Sequence, residues 1–592
     1  MKDDTDIRAR EPEWGASLRP DGTARFRLWA PACEALTLRH AGEDAAMEAL
    51  EDGWFEAVRP AAAGDPYAFV LPGGAVVPDP AARAQEGDVH GPSVVVDPRH
   101  DWRHESPRRP WEEAVICEVH VGTFTPEGTF RAAIEKLPLL AEAGYTGIDI
   151  LPVAQFAGTR GWGYDGVLLY APHNVYGTPE DLRALVDAAH GLGLMVQMDV
   201  VYNHFGPEGN YLSAYAPQFF DEGRHTPWGA GIHYDYAPVR RFFVENALHW
   251  LREFRIDGLR FDAIDHIHDP SETEIMVEMA REIRAEFPHA WLMTEDNRNV
   301  THLHEREDGR ATLMDGEWND DWHNAAHVVA TGEEEGYYAD FADDPAGLLA
   351  RAAAEGFAYQ GESGPMSKAP RGRPSGHLPP QAFVDFLQNH DQIGNRALGE
   401  RLTELAPHSR LMAMQAMLLL SPHVPLMFQG DEWGETGPFL FFADFEGELG
   451  EAVSKGRREE FAHFVGFAGA VPDPIDPASF ERSKLHWNRR EQGEHREALE
   501  RFRALVALRR ERIVPLLAGT GPGCGAVLQA PPCCVAVDWR LNGGLLQCRA
   551  NFHRHPETMP ETRGEVIHLT GAALGAPDSC LFALEPLEPE GA

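Results

Sequence analysis

Eight apolar runs of strand length recur through the central part of the chain, and segments with helical periodicity separate them. Strands that are buried on both faces are apolar throughout, whereas half-exposed strands alternate, so these runs predict a parallel sheet. Eight strands with intervening helices predict an α/β fold, the (β/α)8 TIM barrel. The alternative is an open doubly wound sheet, but no glycine-rich phosphate loop follows the first run. The runs are 114–122, 144–153, 194–203, 257–264, 290–297, 312–319, 382–391 and 424–432.

Two of the helical segments carry clear boundary signals. The first follows Thr178, which is a predicted N-cap, has acidic residues in its first turn and ends near Gly191 and Gly193. The second spans 238–254. A third helix is expected near 494–511, and the segment 433–490 between them predicts irregular structure that covers the barrel.

The two ends of the chain have a different hydrophobic pattern from its centre. Short alternating pieces with Gly, Pro and Asp between them predict a β-sandwich over residues 1–105. The Pro-rich stretch 97–111 is typical of a linker. The barrel with its insertions is expected over 106–514, and a second β-sandwich domain over 515–592.

The charge composition of the chain limits the classes of partner that we expect. Lys+Arg 52 against Asp+Glu 93 gives a net charge of -41, which repels phosphate backbones and anionic lipids. We therefore expect no nucleic acid and no membrane as partner, whereas a neutral sugar is compatible with this charge. The N-terminal segment shows no apolar core of a signal peptide, and no apolar run is long enough for a membrane span. These features predict a cytoplasmic protein, expected as a monomer or weak homodimer.

The seven cysteines are also consistent with a cytoplasmic protein. Their number is odd and no C-x-x-C pair occurs, which favours free thiols in a reducing cytoplasm. A disulfide within the C-terminal segment is the alternative. The cysteines are Cys33, Cys117, Cys524, Cys533, Cys534, Cys548 and Cys580.

Polar side chains cluster where four of the predicted strands end. Active sites of barrels lie at the C-terminal ends of the strands. One acidic residue there is usually a helix cap, but four clusters on one rim indicate a site. The clusters are Asp199, Asn203 and His204; Arg260 and Asp262; Glu295 and Asp296; and Asn389, His390, Asp391, Gln392 and Asn395.

Several carboxylates with a neutral ligand point to glycoside chemistry. A retaining glycosidase needs one carboxylate as nucleophile and one carboxylic acid to protonate the leaving oxygen, about 5–5.5 Å apart. Arg260 beside Asp262 favours an ionised, oriented nucleophile. Glu295 is then the expected acid/base, because negative neighbours raise its pKa. Asp391 is expected to hold sugar hydroxyls in the transition state.

The strand GLRFDAID is expected to carry packing residues on one face and catalytic-site residues on the other. Leu259, Phe261 and Ala263 should pack outward against the helices, while Arg260 and Asp262 face the barrel axis.

A divalent metal is the competing chemistry. The ligands would be His204, Asp262, Glu295, His390 and Asp391, but no H-x-H or H-E-x-x-H spacing occurs. We expect no metal and no cofactor.

The strand-end motifs resemble the α-amylase superfamily, glycoside hydrolase family 13. DVVYNH, GLRFDAID, TED and NHD look like its four signature regions, in order, and 161–177 resembles the segment that places a sugar-stacking tyrosine, here Tyr164. Residue by residue, the resemblance implies that Asp262 is the nucleophile, Glu295 the proton donor and Asp391 the transition-state stabiliser.

Further segments resemble one family within it, the malto-oligosyltrehalose trehalohydrolases. These are VYNHFGPEGNYL, WNDDWHN, FLQNHDQIGNRALGERL and PDPIDPASFERSKLHW. The resemblance implies an immunoglobulin-like, carbohydrate-binding type of N-terminal sandwich, and hydrolysis of the α-1,4 bond next to the terminal trehalose of malto-oligosyltrehalose or a related α-glucan. It also implies substrate contacts from Tyr164, His204, Arg260, Asp265, Asp320, Asp321, His323, Asn324, His390, Gln392 and Asn395.

The residues alone leave other functions open. They define a retaining hydrolase or transferase of α-glucans, and trehalose specificity rests on resemblance. Glycogen branching and debranching enzymes, which share the sandwich-plus-barrel layout, are the nearest rivals. A catalytically dead glycan-binding module is disfavoured because all three carboxylates are present.

Overall fold

The computed structural model describes residues 11–461 and 471–587, and its centre is a closed barrel of eight parallel strands. Each strand lies within one of the eight predicted runs, so the (β/α)8 prediction is confirmed. In chain order, which is also their order around the barrel, the strands are Ile116–Val119, Gly147–Ile150, Met195–Val200, Gly258–Phe261, Trp291–Thr294, Gly316–Trp318, Phe383–Asp385 and Val424–Phe428.

The barrel interior is apolar at its lower end and polar at its upper end. Ile116, Met195, Trp291, Met293 and Leu426 form part of one buried cluster that fills the lower end. The charged side chains of the predicted site lie at the other end, where the strands have their carboxyl ends, as in barrel enzymes.

Helices cover the barrel. Thr178 is the N-cap of the first long helix, as predicted, and forms a capping box: it accepts a hydrogen bond from the Asp181 N–H, and the Asp181 side chain accepts one from the Thr178 N–H. The helices with at least ten residues are Pro179–Gly191, Ala237–Glu253, Ile275–Glu286, Asp320–Thr331, Pro345–Glu355, His408–Leu420, Gly447–Phe461 and Gly493–Arg512. The shorter ones are Val121–Phe124, Phe130–Ile134, Leu137–Ala143, Leu212–Tyr215, His390–Gly394, Leu402–Leu405, Pro477–Arg482 and Val514–Leu517.

The N-terminal strands form two antiparallel sheets that are built mainly on Thr23–Trp29 with Trp54–Pro60, and on Thr37–His40 with Pro66–Val70. Trp14 attaches this part to the barrel, because its ring packs edge-on against Trp54 and Phe242 at centroid distances of 4.8 and 5.0 Å. The smaller strands are Ser17–Leu18, Glu43–Ala46, Glu48–Ala49, Val76–Val77 and Ser93–Val94.

The C-terminal strands form one five-stranded sheet in the described residues, and not the two packed sheets that the predicted β-sandwich requires. The barrel helix Pro345–Glu355 covers this sheet, and Trp539 Nε1 donates a hydrogen bond to the Ala353 carbonyl at 2.8 Å. A second sheet is therefore not needed to bury its apolar face. The strands are Gly525–Val527, Cys534–Leu541, Gly544–Asn551, Glu565–Thr570 and Ser579–Pro586.

The segment 433–490 contains two helices, Gly447–Phe461 and Pro477–Arg482, and its residues 462–470 lie outside the described part. A hairpin that the sequence did not predict, Phe220–Thr226 with Gly229–Ile232, follows the third barrel strand. All seven cysteines are free, and the Cys548 and Cys580 sulfurs lie 4.0 Å apart. Within 11–461 and 471–587 no helix has the length and apolarity needed to cross a membrane.

Candidate active site

Arg260 is the centre of the polar rim. Its side chain leaves the fourth strand toward the barrel axis, and its guanidinium lies 4.1 Å from the Trp318 ring centroid. It donates hydrogen bonds to three carboxylates, at 2.5 Å to Asp199, 2.9 Å to Asp262 and 2.5 Å to Glu295. One buried cation thus holds three strand ends in a fixed arrangement.

The predicted nucleophile, Asp262, is held on two sides. Arg260 binds its Oδ1, and Asn203 Nδ2 donates to its Oδ2 at 2.9 Å. The strand ends at Phe261, and Ala263 adopts a left-handed conformation with φ 39°. The prediction that Ala263 continues the outward face of the strand is therefore wrong. The chain turns there, which aims the Ala263 N–H back toward the site.

The predicted proton donor, Glu295, follows the fifth strand and is partly exposed at the rim. The Ala263 N–H donates to its Oε2 at 3.0 Å, the same oxygen that Arg260 binds. Burial, followed by the negative charges of Asp262, Asp320 and Asp391, raises the pKa of Glu295 well above its usual value, although Arg260 opposes this. This direction suits a general acid near neutral pH.

Asp391 lies in the first turn of the short helix His390–Gly394. Asn389 caps this helix, and its Oδ1 accepts from the Asp391 N–H at 2.9 Å. Asn395 Nδ2 donates to Asp391 Oδ1 at 2.7 Å. Burial raises the pKa of Asp391. The predicted third carboxylate thus lies on the same rim as Asp262 and Glu295, and Asn395 supports it directly.

Tyr164 and His390 form one wall of the site. Their rings stack with centroids 5.1 Å apart, and the Tyr164 hydroxyl donates to Asp199 at 2.7 Å. His390 Nδ1 lies 2.5 Å from Glu118 Oε1 of the first strand. Burial lowers the pKa of His390, but the Glu118 carboxylate outweighs burial and the pKa is raised. Glu118 was not identified from the sequence, because an acid inside an apolar strand gives no positional signal there.

His204 is fixed against the opposite side of Tyr164. Its Nε2 lies 3.0 Å from the Tyr164 carbonyl, and its Nδ1 contacts the Asn203 side chain. The ring stacks on Trp228 at 4.3 Å, and Trp228 is 46% exposed at the tip of the unpredicted hairpin. Trp228 was not identified from the sequence, because no element was predicted for the hairpin segment. Burial lowers the pKa of His204.

Asp265 lies beyond the strand, in the short turn Ile264–His266. It lines a cavity of about 530 Å³ together with Asn203, His266 and the hairpin. Its Oδ1 is buried without a hydrogen-bond partner, and burial raises its pKa. This placement is compatible with the predicted substrate contact.

Asp320 and Gln392 meet across the site. Gln392 Nε2 donates to Asp320 Oδ1 at 3.2 Å. Burial, followed by the charges of Asp391 and Asp321, raises the pKa of Asp320 to about 7. Both residues therefore lie beside Asp391, and their sugar contacts stay a prediction; Asn324 lies half-buried one turn further along the same helix.

Asp321 and His323 are placed differently from the prediction. Asp321 is 1% exposed, and Asn299 Nδ2, the Tyr359 N–H and Arg371 all donate to it. His323 is also 1% exposed, and its Nδ1 lies 2.8 Å from the Leu387 carbonyl. Their polar atoms are occupied by the protein, so the predicted sugar contacts are wrong for both residues in this arrangement. Asp321, one position from Asp320, faces a different side of the helix, and His323 is turned toward the Leu387 carbonyl.

The competing metal site finds no counterpart in the geometry. Among residues 11–461 and 471–587, no three His, Cys, Asp or Glu side chains are grouped so as to hold a metal ion.

Comparison with known proteins agrees with this site. The family model "Alpha amylase, catalytic domain" matches residues 86–222 and 229–504. A solved structure from Salmonella typhimurium, provisionally described as an alpha amylase, is 51% identical, with a TM-score of 0.94 over 97% of this chain and 100% of that chain. A pullulanase from Paenibacillus barengoltzii shares the fold, with 19% identity and a TM-score of 0.69 over 98% of this chain and 96% of that chain. The chain therefore belongs to the α-amylase family of glycoside hydrolases.

Curated relatives indicate a particular family within the α-amylase family. A malto-oligosyltrehalose trehalohydrolase from Deinococcus radiodurans is 46% identical over 84% of this chain and 83% of that protein. Another from Saccharolobus solfataricus is 38% identical over 84% and 87%. Within the α-amylase family, the chain thus belongs with the malto-oligosyltrehalose trehalohydrolases.

Proposed function

We propose that this protein hydrolyses the α-1,4-glucosidic bond next to the terminal trehalose unit of malto-oligosyltrehalose, with retention of configuration, and releases trehalose. The observation that carries the chemistry is that Asp262 and Glu295 bind different nitrogens of the Arg260 guanidinium. A single guanidinium between two carboxyl groups is compatible with the about 5–5.5 Å separation of retaining enzymes. The names of the relatives support the choice of substrate.

In the first step, Asp262 attacks the anomeric carbon of the glucose unit that precedes trehalose. The glycosidic bond breaks, and its oxygen takes the proton of the Glu295 carboxyl group. Trehalose leaves, and the remaining glucan is bound covalently to Asp262. The raised pKa keeps Glu295 protonated at the start of this step.

In the second step, a water molecule attacks the same carbon. Glu295, now ionised, takes a proton from this water, and the bond to Asp262 breaks. Both carboxyl groups return to their starting protonation states. The shortened glucan leaves with the original anomeric configuration, because each of the two displacements inverts it.

The remaining polar groups of the rim are proposed to hold the reacting sugar. Asp391 accepts hydroxyl hydrogens of the ring, and His390 donates a hydrogen bond to it through the ring nitrogen that does not contact Glu118. Tyr164 offers the face of its ring, which stacks on His390, and sugar C–H groups pack well on an aromatic face.

Branching or debranching of glycogen is the second candidate. A 1,4-alpha-glucan branching enzyme from Streptomyces avermitilis is 34% identical, but over 40% of this chain only. Such an enzyme would form or cleave α-1,6 bonds and would release no trehalose.

The test is incubation of the purified protein with malto-oligosyltrehalose, followed by chromatography of the products. Equimolar trehalose and shortened glucan are expected, and NMR of the early product should show the α-anomer. Maltose or glucose alone, or a glucan with new branches, would refute the trehalohydrolase assignment. The Asp262→Asn variant, handled identically, excludes a contaminating hydrolase.

We further propose that the enzyme acts in the cytoplasm as a monomer or weak homodimer. Seven free cysteines favour a reducing compartment, and the net charge of -41 opposes association with nucleic acid or anionic membranes. Sedimentation at several protein concentrations tests the oligomeric state.

A further inference from the structure

Glu317 lies directly beneath the segment that carries the proton donor. It belongs to the sixth barrel strand and pairs in register with Thr294 of the fifth. Its neighbour Trp318 faces the barrel interior under Arg260. Because side chains alternate along a strand, Glu317 points to the outer side, under the loop that follows Glu295.

Both oxygens of Glu317 bind residues that flank Glu295. The Asp296 N–H donates to Oε1 at 2.6 Å, and the Thr294 hydroxyl donates to Oε2 at 2.5 Å. His304 Nε2 completes the group at 2.9 Å from Oε2. The carboxyl group is fully buried, so none of these hydrogen bonds competes with water.

The opposite side of the same segment is held by the fourth strand. The Glu295 N–H donates to the Phe261 carbonyl at 3.1 Å, and the Glu295 carbonyl accepts from the Ile264 N–H at 2.9 Å. Glu295 is therefore fixed between two strands. On the Glu317 side a side chain holds the backbone of this segment, so one substitution can remove that support.

We propose that Glu317 is a positioning residue for the general acid, which it holds through the Asp296 N–H and the Thr294 hydroxyl. It touches neither substrate nor reacting atoms. Its removal leaves the Asp296 N–H buried and unpaired, so the segment shifts to find another partner. A shift of about 1 Å in a catalytic group can cost on the order of 10²-fold in rate.

Gln is the closest replacement for Glu317. Burial raises the pKa of Glu317 well above its usual value and lowers the pKa of His304 to about 3, so the uncharged forms are favoured. Glu317→Gln retains an acceptor for the Asp296 N–H and the same volume. Glu317→Met retains the volume but no acceptor.

The experiment rests on the proposed function and compares two substrates by kcat/KM. Malto-oligosyltrehalose needs a proton on its leaving oxygen, whereas α-maltotriosyl fluoride, whose leaving group is fluoride, needs little acid assistance. Glu317→Met is expected to lose at least about tenfold on the oligosaccharide, a part of the about 10²–10⁴-fold that general acids supply. The fluoride should react at close to the wild-type rate, and Glu317→Gln should restore the oligosaccharide rate.

Two further variants separate positioning from folding. Thr294→Val removes one donor with little change of shape, and a smaller loss confined to the oligosaccharide is expected. Asp257→Asn alters another buried carboxylate, which binds His190 at the far end of the fourth strand, and should lower Tm without changing the ratio of the two rates. If Glu317→Met does not fold, Thr294→Val alone decides the question.

Equal losses on both substrates, or no loss on either, would overturn the positioning role of Glu317. Failure of the proposed function would give a different experimental result. The wild-type protein would then cleave the fluoride and some other α-glucan but release no trehalose, and the same ratio would be measured with the glucan that it cleaves.

Discussion

Asn203 Nδ2 donates hydrogen bonds to two oxygens of Asp262 at once, at 2.9 Å to the carbonyl and 2.9 Å to Oδ2. The side chain and the backbone of the predicted nucleophile are thus fixed by one amide, while Arg260 holds the other carboxylate oxygen. The Asp262 carboxylate is thus held at the rim of the barrel, where a sugar would bind.

Asp262→Asn should lower kcat by roughly 10⁴-fold, because an amide is a very poor nucleophile while the fold remains intact. Steady-state kinetics on malto-oligosyltrehalose, with circular dichroism as a control for folding, measures this. Near-normal activity would remove Asp262 from the reaction.

Glu295→Gln should abolish the alkaline limb of the kcat/KM profile. In the wild-type protein the pKa of Glu295 is raised, so its protonated form persists above the usual pKa of a glutamate and is lost as pH rises. The variant cannot lose this proton. A profile recorded with α-maltotriosyl fluoride should still be measurable, and an alkaline limb that survives unchanged in the variant would contradict the assignment of Glu295.

Asp320→Asn should move the alkaline limb to lower pH. The Asp320 charge is one of the negative charges that raise the pKa of Glu295, so its removal makes Glu295 lose its proton more readily. The exposed Asp308 serves as a matched control, since Asp308→Asn should leave the limb in place. A shift in the opposite direction in Asp320→Asn would exclude this coupling.

Arg260→Met should destabilise the protein by about 3–5 kcal/mol near neutral pH, because three carboxylates would lose their buried partner. The sign of the pH dependence follows. Arg260 opposes the raised pKa values of Asp199 and Glu295, so without it these folded-state pKa values rise further above the unfolded values. The contribution of these two acids to stability is then greatest at low pH and is lost as pH rises through the folded-state values. Urea unfolding at several pH values tests this, and equal losses at acid and neutral pH would contradict it.

Chelation tests the competing metal chemistry. Incubation with EDTA, followed by removal of the chelator, should leave the trehalose-releasing rate unchanged. A lost rate that returns with added Ca²⁺, Mg²⁺ or Zn²⁺ would restore the metal interpretation. Urea unfolding midpoints with and without EDTA would show whether any such ion acts on the fold.

The sequence was sufficient for the barrel because its signal is physical and local. A strand such as Val424–Phe428 is buried at every position and is apolar over its whole length. The catalytic carboxylates were identified because each lies beyond the carboxyl end of such a strand, where barrel active sites form. The single C-terminal sheet was not predictable, because the helix that covers it, Pro345–Glu355, comes from a distant part of the chain.

The errors at single residues also have physical causes. Neighbours on a helix share a motif in the sequence but face different ways, so Asp320 reaches the site whereas Asp321 binds Asn299 and Tyr359. The left-handed turn at Ala263 depends on hydrogen bonds to Glu295, which follows a different strand. Such details require the tertiary structure.

The contact between His390 and Glu118 has a consequence for biosynthesis. It joins the end of the seventh strand to the first, across the gap that only the eighth strand, Val424–Phe428, fills. A nascent chain that has left the ribosome as far as Asp391 holds every catalytic side chain but not this closing strand. Because such long-range contacts form late, the catalytic arrangement is completed only after the barrel closes, and the unfinished chain cannot degrade glucan.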